Sequence, residues 1–411
     1  MAYVPPQEIL ERYARLTVQF GLGEGRGVQP GETVLVYGNE DTKPLYFEVC
    51  KEIWRQGGNV LHNFRPENEE PYNFAEAYYA LASDAQLEHF GEAYVRGLID
   101  QTDHIIFITG ERAPKAMQAV DPTQLAKEAP AVQQYWAIRQ AKERAGKLDW
   151  TIVLWGTEAL AAEAGLSIED YWAEIISACF LEDADPVARW QETLVEIRRY
   201  RDWLNALPIE RLHMQSEGTD LWLTLGERRR WLGGTCVNIP SFEIFTSPDW
   251  RGTQGTVRFT EPLYYYGKLL RGVELEFRDG LVIRADAEEG ADQIQAMVGQ
   301  PGGNRVGEFS LTDARLSRIT RFMADTLYDE NVGGRYGNSH LAIGLSITEC
   351  YDGEEASVSE AEWERLGFIT DAALHCDIVT TADRTVTAVL TDGSERVIYA
   401  DGRFQMNEVA A

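Results

Sequence analysis

The first half of the chain alternates short apolar runs with amphipathic stretches. Glu32-Thr-Val-Leu-Val-Tyr-Gly38 is apolar and bounded by turn residues, and Lys43 to Arg55 has helical spacing that stops at Gln56-Gly-Gly58. Asn59-Val-Leu-His-Asn-Phe64 has strand length, as do His104-Ile-Ile-Phe-Ile-Thr109 and Trp150-Thr-Ile-Val-Leu-Trp155. Continuous apolar runs of this kind mark strands covered on both faces. Separated by helices, they predict an α/β domain with a doubly wound, mostly parallel sheet. Helical patterns from Ser167 to Phe180 and from Asp185 to Leu204 lead out of this half.

Further on the hydrophobic period becomes two. Val273-Glu-Leu-Glu-Phe277 and Leu281-Val-Ile283 alternate around Asp279-Gly280, and Thr385 to Leu390 pairs with Val397 to Tyr399 through Asp392-Gly393. Both are hairpin signatures. Leu311 to Leu327 reads as a helix. The second half is therefore expected to be α+β with a mostly antiparallel sheet, giving domains of residues 1–190 and 191–411 with the boundary near 190.

Composition narrows the function. The chain has 411 residues, 44% hydrophobic and 25% charged, an ordinary globular balance. Its formal net charge of −28 repels phosphate backbones and anionic headgroups, so neither nucleic acid nor a membrane is an expected partner. The first turn of the α/β half, Gly38-Asn-Glu-Asp-Thr42, carries one glycine and two carboxylates, which disfavours a dinucleotide or P-loop site. Cys50, Cys179, Cys236, Cys350 and Cys376 show no CxxC spacing, which fits a reducing compartment rather than a disulfide framework. With neither a signal-like start nor a spanning apolar run, a cytoplasmic protein is expected.

The chemistry concentrates in the second half. Of six histidines, His62 and His104 fall in expected strands and read as structural, His89 lies on a polar helix, and His213 has no obvious acidic partner. His375 and Asp377 stand two apart in a strand-like run, so their side chains share a face and can converge on one cation. His340 follows the polar loop Gly337-Asn-Ser339, Glu308 follows Gly307, and Glu243 sits among apolar residues between Pro240 and Pro248. A glutamate in such company is costly to bury unless paired or bound to a metal.

In order, Asn238-Ile-Pro240 with Glu243 and Phe245-Thr-Ser-Pro248, then Gly307-Glu308, Gly337-Asn-Ser-His-Leu-Ala-Ile-Gly344 and His375-Cys-Asp377 resemble the thermophilic aminopeptidase family of metallopeptidases (aminopeptidase T, peptidase family M29). Gly218-Thr-Asp-Leu221, Trp231 and Asp329-Glu-Asn331 extend the likeness over nearly the whole chain. The resemblance implies two divalent metal ions in the C-terminal domain, in a cleft facing the N-terminal one, on Glu243, Glu308, His340, His375 and Asp377. This donor set suits zinc, cobalt or manganese, and carboxylates can bridge two ions roughly 3.5–4 Å apart. It further implies an aminopeptidase acting on peptides through a metal-activated water, with Glu243 or Glu308 as proton shuttle, in a homodimer.

One position departs from the pattern. The family tyrosine expected seven residues after the first histidine is Ile347 here, leaving Tyr336, Tyr351 and Arg335 as candidate substitutes. Two rival readings follow. His340, His375 and Asp377 could form the facial triad of a non-haem iron ring-cleaving dioxygenase, a scaffold that resembles this family. Alternatively, Ile347 could mark a non-enzymatic member on a retired peptidase scaffold.

Overall fold

The computed structural model describes residues 3–69, 71–117, 120–265 and 268–406. Four strands come first: β1 (Thr33–Asn39), β2 (Asn59–Arg65), β3 (His104–Thr109) and β4 (Asp149–Leu154). The hairpin β5 (Ile209–Ser216) and β6 (Thr219–Thr224) precedes three short pieces, β7 (Leu232–Gly233), β8 (Asn238–Ile239) and β9 (Glu243–Thr246). Then come β10 (Asp249–Arg258), the ribbon β11 (Leu263–Tyr265) and β12 (Lys268–Leu270), and the hairpin β13 (Glu274–Arg278) and β14 (Leu281–Asp286). The chain closes with β15 (Val306–Thr312), β16 (Asn338–Gly344), β17 (His375–Thr380), β18 (Arg384–Leu390), β19 (Glu395–Ala400) and β20 (Arg403–Phe404).

Two compact units emerge. Residues 1–190 with 235–240 form one, and residues 191–234 with 241–411 the other. The first unit carries a five-stranded sheet in the order β2-β1-β3-β4-β8, parallel throughout. Val34, Leu35 and Val36 are fully buried, as a strand covered by helices on both faces requires. The helix Lys43–Arg55 begins with a proline in its first turn and buries Leu45, Val49 and Ile53 at the i, i+4, i+8 spacing. Gly57, at φ +81°, ends it where a side chain would be strained.

The second unit holds an eight-stranded antiparallel sheet, β14-β13-β10-β6-β5-β18-β19-β20, and a five-stranded one, β17-β16-β15-β9-β7. Both expected hairpins form, joined through Asp279-Gly280 and Asp392-Gly393. The α/β plus antiparallel α+β architecture is thus the one the hydrophobic pattern predicts. No helix among the described residues is long and apolar enough to cross a membrane.

The expected helix from Leu311 to Leu327 does not exist. Leu311 and Thr312 end β15, and only Thr326–Asp329 is helical. The apolar spacing there is helix-like, but short polar side chains claim the backbone. The Asp313 carboxylate accepts from the Arg315 N–H at 2.9 Å, and the Ser317 hydroxyl accepts from the Ile319 N–H at 3.2 Å. Asp329 accepts from the N–H groups of Met323 at 2.6 Å and Asp325 at 3.0 Å, and Ala324 sits at φ +52°. Such bonds offer the backbone an alternative to the helical ladder. The expectation of no acidic partner for His213 is also overturned. Its Nε2 lies 2.6 Å from Asp220 Oδ1 across the β5–β6 hairpin, and its ring stacks on Trp222.

His104 has the structural role assigned to it. Nearly buried on β3, it touches Asp149 through Nδ1 and Glu32 through Nε2 at 2.8 Å. Burial alone would lower its pKa, but the hydrogen bonds and charges of Asp149 and Glu32 outweigh that and raise it. A raised folded-state pKa stabilises the fold fully below the ordinary histidine value, and the contribution fades as pH rises through the folded value. We expect His104→Gln to lower the urea unfolding free energy by about 1–3 kcal/mol near pH ~5.5, and by clearly less near pH ~9. Equal losses at both pH values would exclude a charged His104 clasp.

Candidate metal centre

The five residues singled out by the sequence come together on the second unit's smaller sheet. Glu243 opens β9, Glu308 lies on β15, His340 on β16, and His375 and Asp377 on β17. In the antiparallel register Thr312 faces Glu243, Ser310 faces His340, and Ala342 lies between Glu308 and Asp377, while Gly344 faces His375. Cross-strand partners share a face and side chains alternate with period two, so all five project from one face. The intervening positions, Ser310, Ala342 and Gly344, are small and leave that face to the carboxylates and imidazoles.

A bulge aims Glu308. Val306 pairs with Ile343 but Glu308 pairs with Ala342, so Gly307 is the extra residue that reverses the alternation. Val306 turns into the core and Glu308 toward the histidines. A Cβ at Gly307 would lie 2.2 Å from the Leu345 carbonyl oxygen, so only glycine fits. Gly344, at φ +107°, is held for the same reason, with the Leu374 carbonyl oxygen 2.0 Å from where its Cβ would be.

The groups form two overlapping sets of possible metal ligands, Glu243 with Glu308 and His340, and Glu308 with His375 and Asp377. Glu308 belongs to both. Its Oε1 lies 3.4 Å from His340 Nε2 and its Oε2 3.4 Å from His375 Nε2. His340 Nε2 is 3.3 Å from Glu243 Oε2, and His375 Nε2 is 3.6 Å from Asp377 Oδ1. Ser310 Oγ donates to Glu243 Oε2 at 3.2 Å. His375 Nδ1 donates to the Leu345 carbonyl at 2.8 Å, which leaves Nε2 as the nitrogen facing the carboxylates, the one a metal would use.

Burial drives the electrostatics. It raises the Glu243 carboxyl above its ordinary range, and the charges of Glu308 and Asp377 add to this against the opposing His340. Burial pushes Glu308 the same way, but hydrogen bonds to His340 and His375 prevail and hold it low. Asp377 falls to about 2, the His375 charge overcoming desolvation. Burial would lower both histidines, yet the surrounding carboxylates hold them well above the usual value. The mixed oxygen and nitrogen donor set fits a borderline divalent cation.

Sequence reasoning treated Glu330 only as part of a motif. Glu330 is 8% exposed, and burial and then Glu243 and Asp377 raise its carboxyl well above the usual range. The signal, an acidic residue inside Asp329-Glu-Asn331, gains meaning only once the chain folds over the sheet. The candidate substitutes for a tyrosine at Ile347 have contacts of their own. Tyr351 packs edge-on against Trp363 under the Arg228 guanidinium, and Arg335 lies over the Tyr336 ring. Ile347 itself packs on the apolar cluster of Cys350, Trp363, Leu366 and Phe368.

A model of the thermophilic metalloprotease (M29) family matches residues 6–404. The chain belongs to that family. It is therefore a metalloprotease, an enzyme of the hydrolase class. It is 26% identical to "Aminopeptidase 2" of Geobacillus stearothermophilus over 96% of this chain and 97% of the relative. It is 25% identical to "Aminopeptidase T" of Thermus thermophilus over 96% and 98% of the two chains. The solved structure of wild-type AmpT from Thermus thermophilus shares the fold, with a TM-score of 0.81 at 23% identity, covering 97% of this chain and 99% of that one.

A measurable asymmetry is expected between the metalloprotease's site glycine Gly344 and the hairpin-turn glycine Gly393. Gly344→Ala meets both a left-handed φ and a backbone clash, and is expected to cost about 3 kcal/mol or more in urea unfolding. Gly393→Ala, at φ +82° with open space around it, should cost only about 1 kcal/mol. Similar losses for the two would show that the close approach beside His375 is not needed.

Proposed function

We propose that this metalloprotease is an aminopeptidase that removes the N-terminal residue of peptides at a two-metal site. The observation that carries the reading is the splayed placement of Glu308, one oxygen toward His340 and the other toward His375. Glu243, Glu308 and His340 would hold one divalent ion, and Glu308, His375 and Asp377 the second, with zinc, cobalt or manganese suited to the donors. The relatives that match over 96% of the chain are named aminopeptidases, which supports the substrate class.

Bound cations would supply Lewis acidity, polarising the scissile carbonyl and making hydroxide available near neutral pH. The rest falls to the chain. Glu308 and Asp377, held low, remain anionic. A carboxylate of the centre, Glu243 or Glu308, would take up a proton and return it to the leaving amine. With Glu330 beside them, the four carboxylates favour a substrate that presents a cationic α-amine. Ile347 brings no side-chain hydrogen bond to the carbonyl; its work is packing. Five buried cysteines with no CxxC spacing accord with a cytoplasmic enzyme, which we take to be a homodimer.

Metal quantitation with a screen of aminoacyl chromogenic substrates in zinc, cobalt or manganese tests the proposal. We expect two ions per chain, and Glu308→Gln to lower both metal content and kcat/KM, the latter by about 100-fold or more. No amine release with any of the metals would sink the peptidase reading, and a single oxygen-sensitive iron would favour the dioxygenase.

A further inference from the structure

The Asp329-Glu330-Asn331 turn is built around one side chain. Asn331 is fully buried, and each of its amide atoms is committed. Oδ1 accepts the Phe242 N–H at 2.6 Å, fixing the residue immediately before Glu243. Nδ2 donates to the Leu327 carbonyl at 3.0 Å and reaches Glu330 Oε1 at 3.4 Å. The opposite amide orientation would set donor against donor at Phe242 and acceptor against acceptor at Leu327 and Glu330, so the assignment follows from the partners.

A second amide secures the other side. Asn338, two residues before His340 on β16, donates from Nδ2 to the carbonyls of Glu330 at 2.8 Å and Val332 at 2.7 Å. Asp329 holds the start of the turn through the N–H groups of Met323 and Asp325. Glu330 is therefore held within electrostatic reach of Glu243, Asp377, His340 and Glu308 by links to the two strands that carry Glu243 and His340.

We infer that Asn331 is a positioning residue, which fixes the Glu330 carboxylate relative to Glu243 and thereby sets how tightly the centre holds its cation. The inference rests on the metal-site reading above. Only a primary amide meets the requirement, since it presents an acceptor to Phe242 and a donor to Glu330 at once. An aspartate keeps the acceptor and the shape but turns the donor into a second negative charge facing Glu330. An alanine leaves the Phe242 N–H and the Leu327 carbonyl unpartnered by this side chain.

The full-length chain is tested by chelator competition for zinc, alongside thermal unfolding of the metal-depleted protein and the split between kcat and KM. Asn331→Asp is expected to weaken zinc binding by about 10- to 100-fold, the range for residues that orient metal ligands. It should lower kcat more than it raises KM. Glu330→Gln is expected to weaken zinc binding similarly, and the double variant should lose less than the product of the single losses. A folded Asn331→Asp protein with the parent's zinc affinity would overturn the inference. If that variant does not fold, Glu330→Gln decides: parental affinity would mean that Asn331 has no placed carboxylate to act through. Failure of the parent to bind zinc at all would count against the metal-site reading itself, a result separable from either variant's behaviour.

Discussion

Carboxylates gathered on one buried sheet face dominate this molecule's chemistry, because charges removed from water need a partner. Glu243, Glu308 and Asp377 lie close together with Glu330 in electrostatic reach, and among the described residues His340 and His375 supply opposing charge. The consequence is that the pKa values of the cluster are pushed apart. The histidines are held high, Glu243 and Glu330 are pushed up, and Glu308 and Asp377 are pulled down. Such a cluster carries a steep desolvation cost that a divalent cation offsets far better than shared protons do. Family membership and electrostatics therefore point in one direction.

That constraint reaches into the backbone. Five side chains must leave one face of an antiparallel sheet, so the register has to be right on β9, β15, β16 and β17 together. At β15 an uninterrupted alternation would place Val306 and Glu308 on the same side. The Gly307 bulge separates them, sending the valine to the core and the glutamate to the site. Gly344 permits the tight approach of the Leu374 carbonyl at the point where His375 pairs. The Leu345 carbonyl then holds His375 Nδ1. Each device is a backbone feature that serves one side chain.

Ile347 is built into the frame beside the centre. Its N–H donates to Ser247 Oγ at 2.8 Å, and its side chain joins the cluster under Trp363. The loop after β16 is thus anchored by backbone and apolar contacts. The strands that carry Glu308, His340, His375 and Asp377 are fixed separately, by their own pairing.

The amino-acid pattern by itself determined the two kinds of sheet, because alternation and continuous apolar runs are local and survive without knowledge of the partners. Through the ordered motifs that resemble the metallopeptidase family, it also marked Glu243, Glu308, His340, His375 and Asp377. Tertiary structure decided what depends on residues far apart in sequence. The helix expected from Leu311 to Leu327 gave way to side-chain bonds from Asp313, Ser317 and Asp329. His213 found Asp220 only through hairpin register. Glu330 and Asn331 gained their surroundings from strands that begin near residues 243 and 338. Periodicity tells which way a side chain faces along its own strand, but which groups meet there is set by pairing and by turns, and these are fixed only when the whole sheet has formed.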